Sequence, residues 1–191
     1  VGEPKYIDAM NNTYISSSAN LGLIAEDNLC GTGVASTTYR IHNDTYDSGW
    51  LNYSEPFNLM GLDDGTYFID YNSFDNLNIV VPINSKALIL DNTPPSIKTP
   101  LHIPAANIQP YQEVKVSVNV TDFRSRVKNV TLSYTSNKSA TWSNLPMTFN
   151  YTTGLYECRI LGQEANTLIK YKVVAYDNVG NQEIEDNSGQ Y

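Results

Sequence analysis

The chain has 191 residues, enough for two ordinary domains, and its 41% hydrophobic content supplies each half with a core. A formal net charge of −8 excludes the basic face that nucleic-acid binding needs and sets the surface against anionic lipid. Cations, neutral sugars and other proteins remain as partner classes.

Charged residues make up only 17% of the chain, against roughly 25% in an average globular protein. Tyr, Asn, Ser and Thr take their place, a β-rich composition of extracellular type. No run approaches the roughly 20 apolar residues of a membrane span, so no membrane insertion is expected. The opening Val1-Gly2-Glu3-Pro4 reads as an interdomain linker rather than a secretory leader, which suggests a segment of a longer protein. Asn-x-Ser/Thr sequons occur at Asn11, Asn43, Asn52, Asn119, Asn129, Asn137 and Asn150. They read as N-glycosylation sites of an exported protein or as chance products of a chain rich in Asn, Ser and Thr.

In chain order, Leu21–Asp27 alternates apolar residues and predicts a half-buried strand ending on Asp. Val34–Ile41 predicts a second strand, and Trp50 follows. Asp63-Asp64-Gly65 reads as a tight turn. The Tyr-rich Gly65–Asn76 predicts a strand closing on Asp-Asn. Leu90-Asp-Asn-Thr-Pro-Pro-Ser-Ile97 cannot be a central strand, because two prolines remove two donors. It reads as a semi-rigid linker.

The series then repeats. Val114–Asp122 matches Leu21–Asp27, Val127–Tyr134 matches Val34–Ile41, Trp142 matches Trp50, and Ile169–Asn178 matches Gly65–Asn76. The period is about one domain, which indicates a tandem duplication. Gly162–Thr167 is the best helical candidate and is too short for more than a turn. Regular short strands punctuated by Gly, Pro, Asn and Asp predict an all-β fold of two tandem immunoglobulin-like (fibronectin III-like) antiparallel β-sandwiches, about seven strands each. The expected boundaries are 1–91, a linker at 92–95, and 96–191.

Chemistry is sparse. Cys30 and Cys158 fall in different predicted domains, so no disulfide is expected; Cys158 alternates with Tyr156 and Ile160 and should point into a core. His42 and His102 lack partners at metal-ligand spacing, which points away from zinc. No nucleophile elbow or phosphate loop is present, so catalysis is not expected. Trp50 and Trp142 recur at matching positions and read as core or rim packing. Glu183-Ile-Glu-Asp186 reads as the approach to a further linker.

The first half resembles the OmpL47-type, chitobiase-like β-sandwich repeats of bacterial and archaeal surface proteins. The resemblance is carried by Ala25-Glu-Asp-Asn28, Gly31-Thr-Gly-Val-Ala35, Tyr39-Arg-Ile41, Trp50, Leu62-Asp-Asp-Gly-Thr-Tyr67 and Asp75-Asn76. The second half is similar to fibronectin type III or Ig-like domains through Asn92-Thr-Pro-Pro95, Val120-Thr-Asp122, Tyr156-Glu157 and Ala175–Asn181. One departure stands out. The second half carries Asp177-Asn-Val-Gly-Asn181, whereas the first has Asp75-Asn-Leu-Asn-Ile79 without the glycine.

In such a sandwich the second and sixth strands leave at one end and the first enters there. Asp91, Asp122 and Asp177, with the Asn178 amide, would then suit Ca²⁺, which takes six to eight oxygens. Glu3, Asp27 and Asp75 form the equivalent, weaker set in the first domain. The resemblance implies the same device, calcium stiffening a joint between extracellular sandwiches. The other reading of these residues is that loop Asp and Asn fix turns through their own backbone.

Two functions follow as expectations. One is a non-catalytic spacer, surface-layer or adhesion segment of a prokaryotic cell-surface or secreted protein. Its partners would be neighbouring domains, other surface proteins or polysaccharide. The alternative is an accessory carbohydrate-binding module of a secreted hydrolase, which an exposed row of aromatics would favour.

Overall fold

The computed structural model describes residues 1–27, 31–139 and 141–187, and among them every regular element is a strand. No helix of the described residues is long and apolar enough to cross a membrane. The chain divides between Thr93 and Pro94 into two compact units, Val1–Thr93 and Pro94–Tyr191.

The first unit contains β1 (Lys5–Ile7), β2 (Thr13–Ile15), β3 (Val34–His42), β4 (Leu51–Asn52), β5 (Gly65–Asp75) and β6 (Asn84–Leu90). They form one sheet in the order β1-β2-β6-β5-β3-β4. All its pairs are antiparallel except β2 with β6, which run parallel through Tyr14↔Ile89 and Ile15↔Leu90. The side-chain period of two turns Ile41, Tyr67, Ile69, Leu88 and Leu90 to one face, where all are buried. Ala19, Leu21 and Leu59 complete that core from outside the strands. The second layer is therefore irregular chain, tied by a pair of bonds: Leu21 N–H donates to Phe57 O (2.7 Å) and Phe57 N–H to Leu21 O (3.0 Å). The alternation in Leu21–Asp27 does not produce the expected strand. Only Leu21 bridges, and Gly22 and Ile24–Asp27 are exposed. An alternating pattern needs a neighbouring edge to pair with, and here the chain leaves the sheet.

The second unit contains β7 (Ser96–Ile97), β8 (Leu101–Ile103), β9 (Val114–Val118), β10 (Val120–Thr121), β11 (Val127–Ser136), β12 (Ser143–Pro146), β13 (Thr148–Asn150), β14 (Leu155–Ile160), β15 (Ile169–Asp177) and β16 (Gln182–Glu185). Two four-stranded antiparallel sheets, β12-β11-β15-β16 and β13-β14-β9-β8, enclose one core. Val116, Val118 and Ile160 enter from one sheet and Val130, Leu132, Val173 and Ala175 from the other, the arrangement of a β-sandwich. The predicted strand over Val114–Asp122 is split at Asn119. Its first part pairs with β8 and β14, and β10 pairs with β7.

Each unit has its own core, so damage to one should stay local. Leu132 is fully buried, and Leu132→Ala should cost the second unit about 2–5 kcal/mol. Scanning calorimetry should show the second unit's transition lowered and the first unit's in place. Leu88→Ala should do the reverse. A single transition moved equally by both changes would contradict independent cores.

Candidate functional site

Asp75, Asp91, Asp122 and Asp177 sit at or just after strand ends, and in each unit two aspartate-bearing loops are tied together by an asparagine amide. In the second unit, the period of two puts Asp177 on the face of β15 that also carries Val173 and Ala175. Asp177 is accordingly fully buried. A buried carboxylate needs hydrogen bonds. Asp177 Oδ1 accepts the Val179 N–H (3.0 Å) and the Asn181 N–H (2.8 Å), and Oδ2 accepts the Asn181 amide (2.7 Å). Gly180 supplies the positive φ, 94°, that this turn demands.

Asp122 follows β10, and its Oδ1 accepts the N–H groups of Arg124 (3.2 Å) and Arg126 (2.6 Å). The Asn178 side-chain amide donates to the Ser125 (2.8 Å) and Arg126 (3.0 Å) carbonyls. These bonds bring the two loops together, and a carboxylate oxygen of Asp122 lies within 4.8 Å of one of Asp177.

The first unit carries a related arrangement. Asp75 Oδ1 accepts the Leu77 and Ile79 N–H groups, each at 2.8 Å. Asp27 Oδ2 accepts the Gly33 N–H (2.5 Å), as Asp122 accepts that of Arg126. The Asn76 amide donates to Thr32 O (2.6 Å), as Asn178 donates to Ser125 O. Gly33 and Arg126 both take positive φ, 89° and 69°. The glycine missing from Asp75–Ile79 is replaced by Asn78 at φ 62°, because Asn tolerates the left-handed region.

Glu3 does not join this group. Lys5 pairs with Ile15, Ile15 with Leu90 and Leu90 with Gly65, so Glu3 lies at the Gly65 end of β5 while Asp75 closes the other end. The reason is local. β1 folds back on β2 as a hairpin at the sheet edge instead of entering beside the Asp75 loop. Glu3 is exposed and bonds to the Lys5 N–H (3.0 Å).

Asp91 ends the first unit's last strand. It is fully buried, its N–H donates to Ile15 O (2.9 Å), and its Oδ1 accepts the Thr93 N–H (3.2 Å). The next residues are held by Asp64, which the sequence showed only as a turn former. Asp64 Oδ1 accepts the Asn92 N–H (2.7 Å) and Oδ2 the Thr93 hydroxyl (2.6 Å), while Asn92 Oδ1 accepts the Ser17 N–H (2.9 Å). On the other side of the prolines, Ser96 and Ile97 pair with Thr121 and Val120, and the Lys98 N–H donates to Asn119 O (3.0 Å). The linker is thus bound into one unit up to Thr93 and into the other from Ser96, leaving Pro94 and Pro95 between.

The other predicted residues are plainly placed. Trp50 and Trp142 are 45% and 39% exposed and belong to neither core; the Lys172 ammonium sits 5.0 Å from the Trp142 ring centroid. Cys158 packs against the second core, and burial pushes its thiol up to about 11. Cys30 and Asn28 lie outside the described residues. Asn11, Asn52, Asn129 and Asn137 are exposed, and Asn43, Asn119 and Asn150 are partly so. The amide nitrogens of Asn137 and Asn150 bond to Asn166 O (3.4 Å) and Glu157 Oε2 (3.1 Å).

His42 is not solitary. Its Nε2 lies 2.8 Å from Asp70 Oδ2, beside an Arg40–Asp47 pair joined at 2.8 Å and 2.5 Å. The Asp70 contact spans 28 residues and arises from strand register, because β3 and β5 pair His42↔Phe68 and Arg40↔Asp70. Spacing along the chain could not show it.

No protein-family model matches the chain, and no curated protein matches it. Among solved structures, the chain is similar to fibronectin(III)-like modules of Clostridium thermocellum CbhA. The identity is 11% and the TM-score 0.45, over 90% of this chain and 85% of that one. A second match is a tetra-tandem repeat from the extending region of a large adhesion protein. There the identity is 12% and the TM-score 0.35, over 95% of this chain and 53% of that one.

The Asp75 loop has a measurable signature. N–H donation from Ile79 and Leu77 holds the Asp75 carboxyl below its ordinary value. A depressed folded-state value stabilises above the unfolded value, near pH 4, and that contribution is lost as the pH falls further. Wild type should therefore melt above Asp75→Asn at neutral pH, and the gap should close in acid. A gap of constant size from neutral to acid would show that the carboxylate charge plays no part.

Proposed function

We propose that the chain is a non-catalytic structural spacer of an extracellular surface or secreted protein, with its joint stiffened by bound calcium. The observation that supports this reading is the linker. Both of its ends are hydrogen-bonded into folded units, and the two residues between are prolines, whose rings fix φ near −65°. A spacer needs a joint that holds its direction, and short proline-rich linkers act as semi-rigid spacers.

Calcium fits the donor chemistry. Asp122 and Asp177 offer hard oxygens on the second unit, and Ser96 pairs with Thr121, the neighbour of Asp122. The linker therefore joins the second unit next to Asp122, and Asp91 is the linker carboxylate proposed to complete the set. Asp27 and Asp75 would form the first unit's weaker counterpart. Extracellular calcium modules bind at about 10⁻⁴–10⁻³ M.

The second reading, an accessory carbohydrate-binding module, draws on the half-exposed Trp50 and Trp142. Those two rings stand on different units, and only the spacer reading gives the docked linker a role, so the spacer reading is preferred for the chain as a whole.

Thermal melts in millimolar calcium and in chelator distinguish the cases. A ligand present at tenfold its dissociation constant stabilises by about 1.4 kcal/mol, so calcium should raise the second unit's midpoint by a few degrees. Asp122→Asn should abolish that rise. Identical midpoints with and without calcium would remove the cation from the account and leave the docked linker alone.

A further inference from the structure

The end of the second unit opposite Asp177 carries a cleft of about 500 Å³, within the roughly 300–1,000 Å³ of small-ligand sites. Two connections build it: residues 104–113, between β8 and β9, and residues 161–168, between β14 and β15. Their backbones touch. A Cβ on Gly162 would run into the Tyr111 carbonyl, and the Tyr111 N–H donates to Gln163 O (2.8 Å). Tyr111 holds φ 61°, a conformation that bulky residues adopt only where the surroundings impose it. The Leu168 and Asn137 backbones bond at 3.0 Å, and the Leu168 N–H also donates to Asn137 Oδ1 (3.0 Å), which ties the far wall to β11. The walls are preformed.

We propose that this cleft binds a neutral sugar unit, one or two rings long. The lining specifies that chemistry. Val114, Ile160, Leu168 and Ile169 are aliphatic, with Tyr171 and His102 meeting edge to face at 6.4 Å beside them. Around this apolar surface stand the amides of Gln109, Gln112, Gln163 and Asn166. Gln112 Oε1 accepts the Gln109 N–H (2.9 Å), Gln109 Nε2 donates to Asn107 O (3.1 Å), and Gln163 Nε2 donates to Leu161 O (2.8 Å). Each bond engages one end of its amide. The opposite ends are one donor, Gln112 Nε2, and two acceptors, Gln109 Oε1 and Gln163 Oε1. A hydroxyl group both donates and accepts, so a ring bearing several hydroxyls matches this mixture.

Charge excludes an ion. Besides the Tyr171 phenol, the ionisable residues of the lining are His102 and Glu164, and Glu164 is paired with Lys138 at 2.9 Å. His102 Nδ1 donates to Pro104 O (3.0 Å). A wholly apolar ligand would strip water from the rim amides without replacing their bonds, which is costly. A pyranose offers an apolar C–H face and a rim of hydroxyls, and satisfies both requirements.

The test is an NMR titration of the ¹⁵N-labelled chain with cellobiose, maltose and N,N′-diacetylchitobiose. Glucuronate serves as a charged probe and 1-octanol as an apolar one. At least one disaccharide should shift the side-chain amide signals of Gln112 and Gln163 together with backbone signals of residues 161–168. Glucuronate should not. Leu168→Arg and Gln112→Ala should each weaken binding about tenfold or more; Leu168 is 60% exposed, so the arginine can be accommodated and Leu168→Arg should leave the melting midpoint unchanged. If either variant misfolds, the other decides. Silence from all three disaccharides overturns the proposal, as does a response to octanol or glucuronate alone. So does sugar binding that survives Leu168→Arg. The result is independent of the calcium reading, which concerns the other end of the unit and is read by melting.

Discussion

The joint depends on the Asp64 carboxylate. One oxygen holds the Asn92 N–H and the other the Thr93 hydroxyl, so the chain leaving the first unit is fixed up to the residue before Pro94. On the far side, Ser96 and Ile97 are already strand. A free linker of several residues would sample many directions, because each unfixed residue retains backbone entropy worth about 1–2 kcal/mol. Here the unpaired stretch is two prolines. Hydrogen bonds at both ends and the proline rings between them leave few free backbone torsions in the linker.

The same chemistry closes the strand ends inside each unit. Asp75 and Asp177 each accept two backbone N–H groups from the following turn. Asn76 and Asn178 each reach back to a carbonyl in the loop opened by Asp27 or Asp122. Such bonds are charge-assisted and stronger than neutral ones. They satisfy backbone groups that the sheet has left unpaired. This turn-fixing role and the proposed cation role are compatible. A carboxylate that accepts two N–H groups still has lone pairs for a metal.

Legibility in the sequence followed the range of the interaction. The long central strands β3, β5, β11 and β15 were readable within one or two residues, because alternation over nine or more positions is a local signal. The matching aspartate turns at Asp75 and Asp177 were readable from their positions at the ends of those strands. Leu21–Asp27 misled, since its alternation has no edge to pair with. The role of Asp64 was invisible because its partners lie 28 and 29 residues away. The Glu3 assignment failed on topology: a hairpin at the sheet edge carries that end of the chain away from Asp75. The far-end cleft left no motif at all, being assembled from two loops whose only local mark is Gly162.

The central claim, a joint held by its docked linker, is tested most directly by spin-label distance measurement. One label would sit at Asn52 and one at Lys128, exposed positions on the two units, with Cys30 and Cys158 replaced. The account predicts a single narrow distance distribution that broadens markedly in Asp64→Ala. A distribution already broad in the parent chain, or one that Asp64→Ala leaves unchanged, would contradict it.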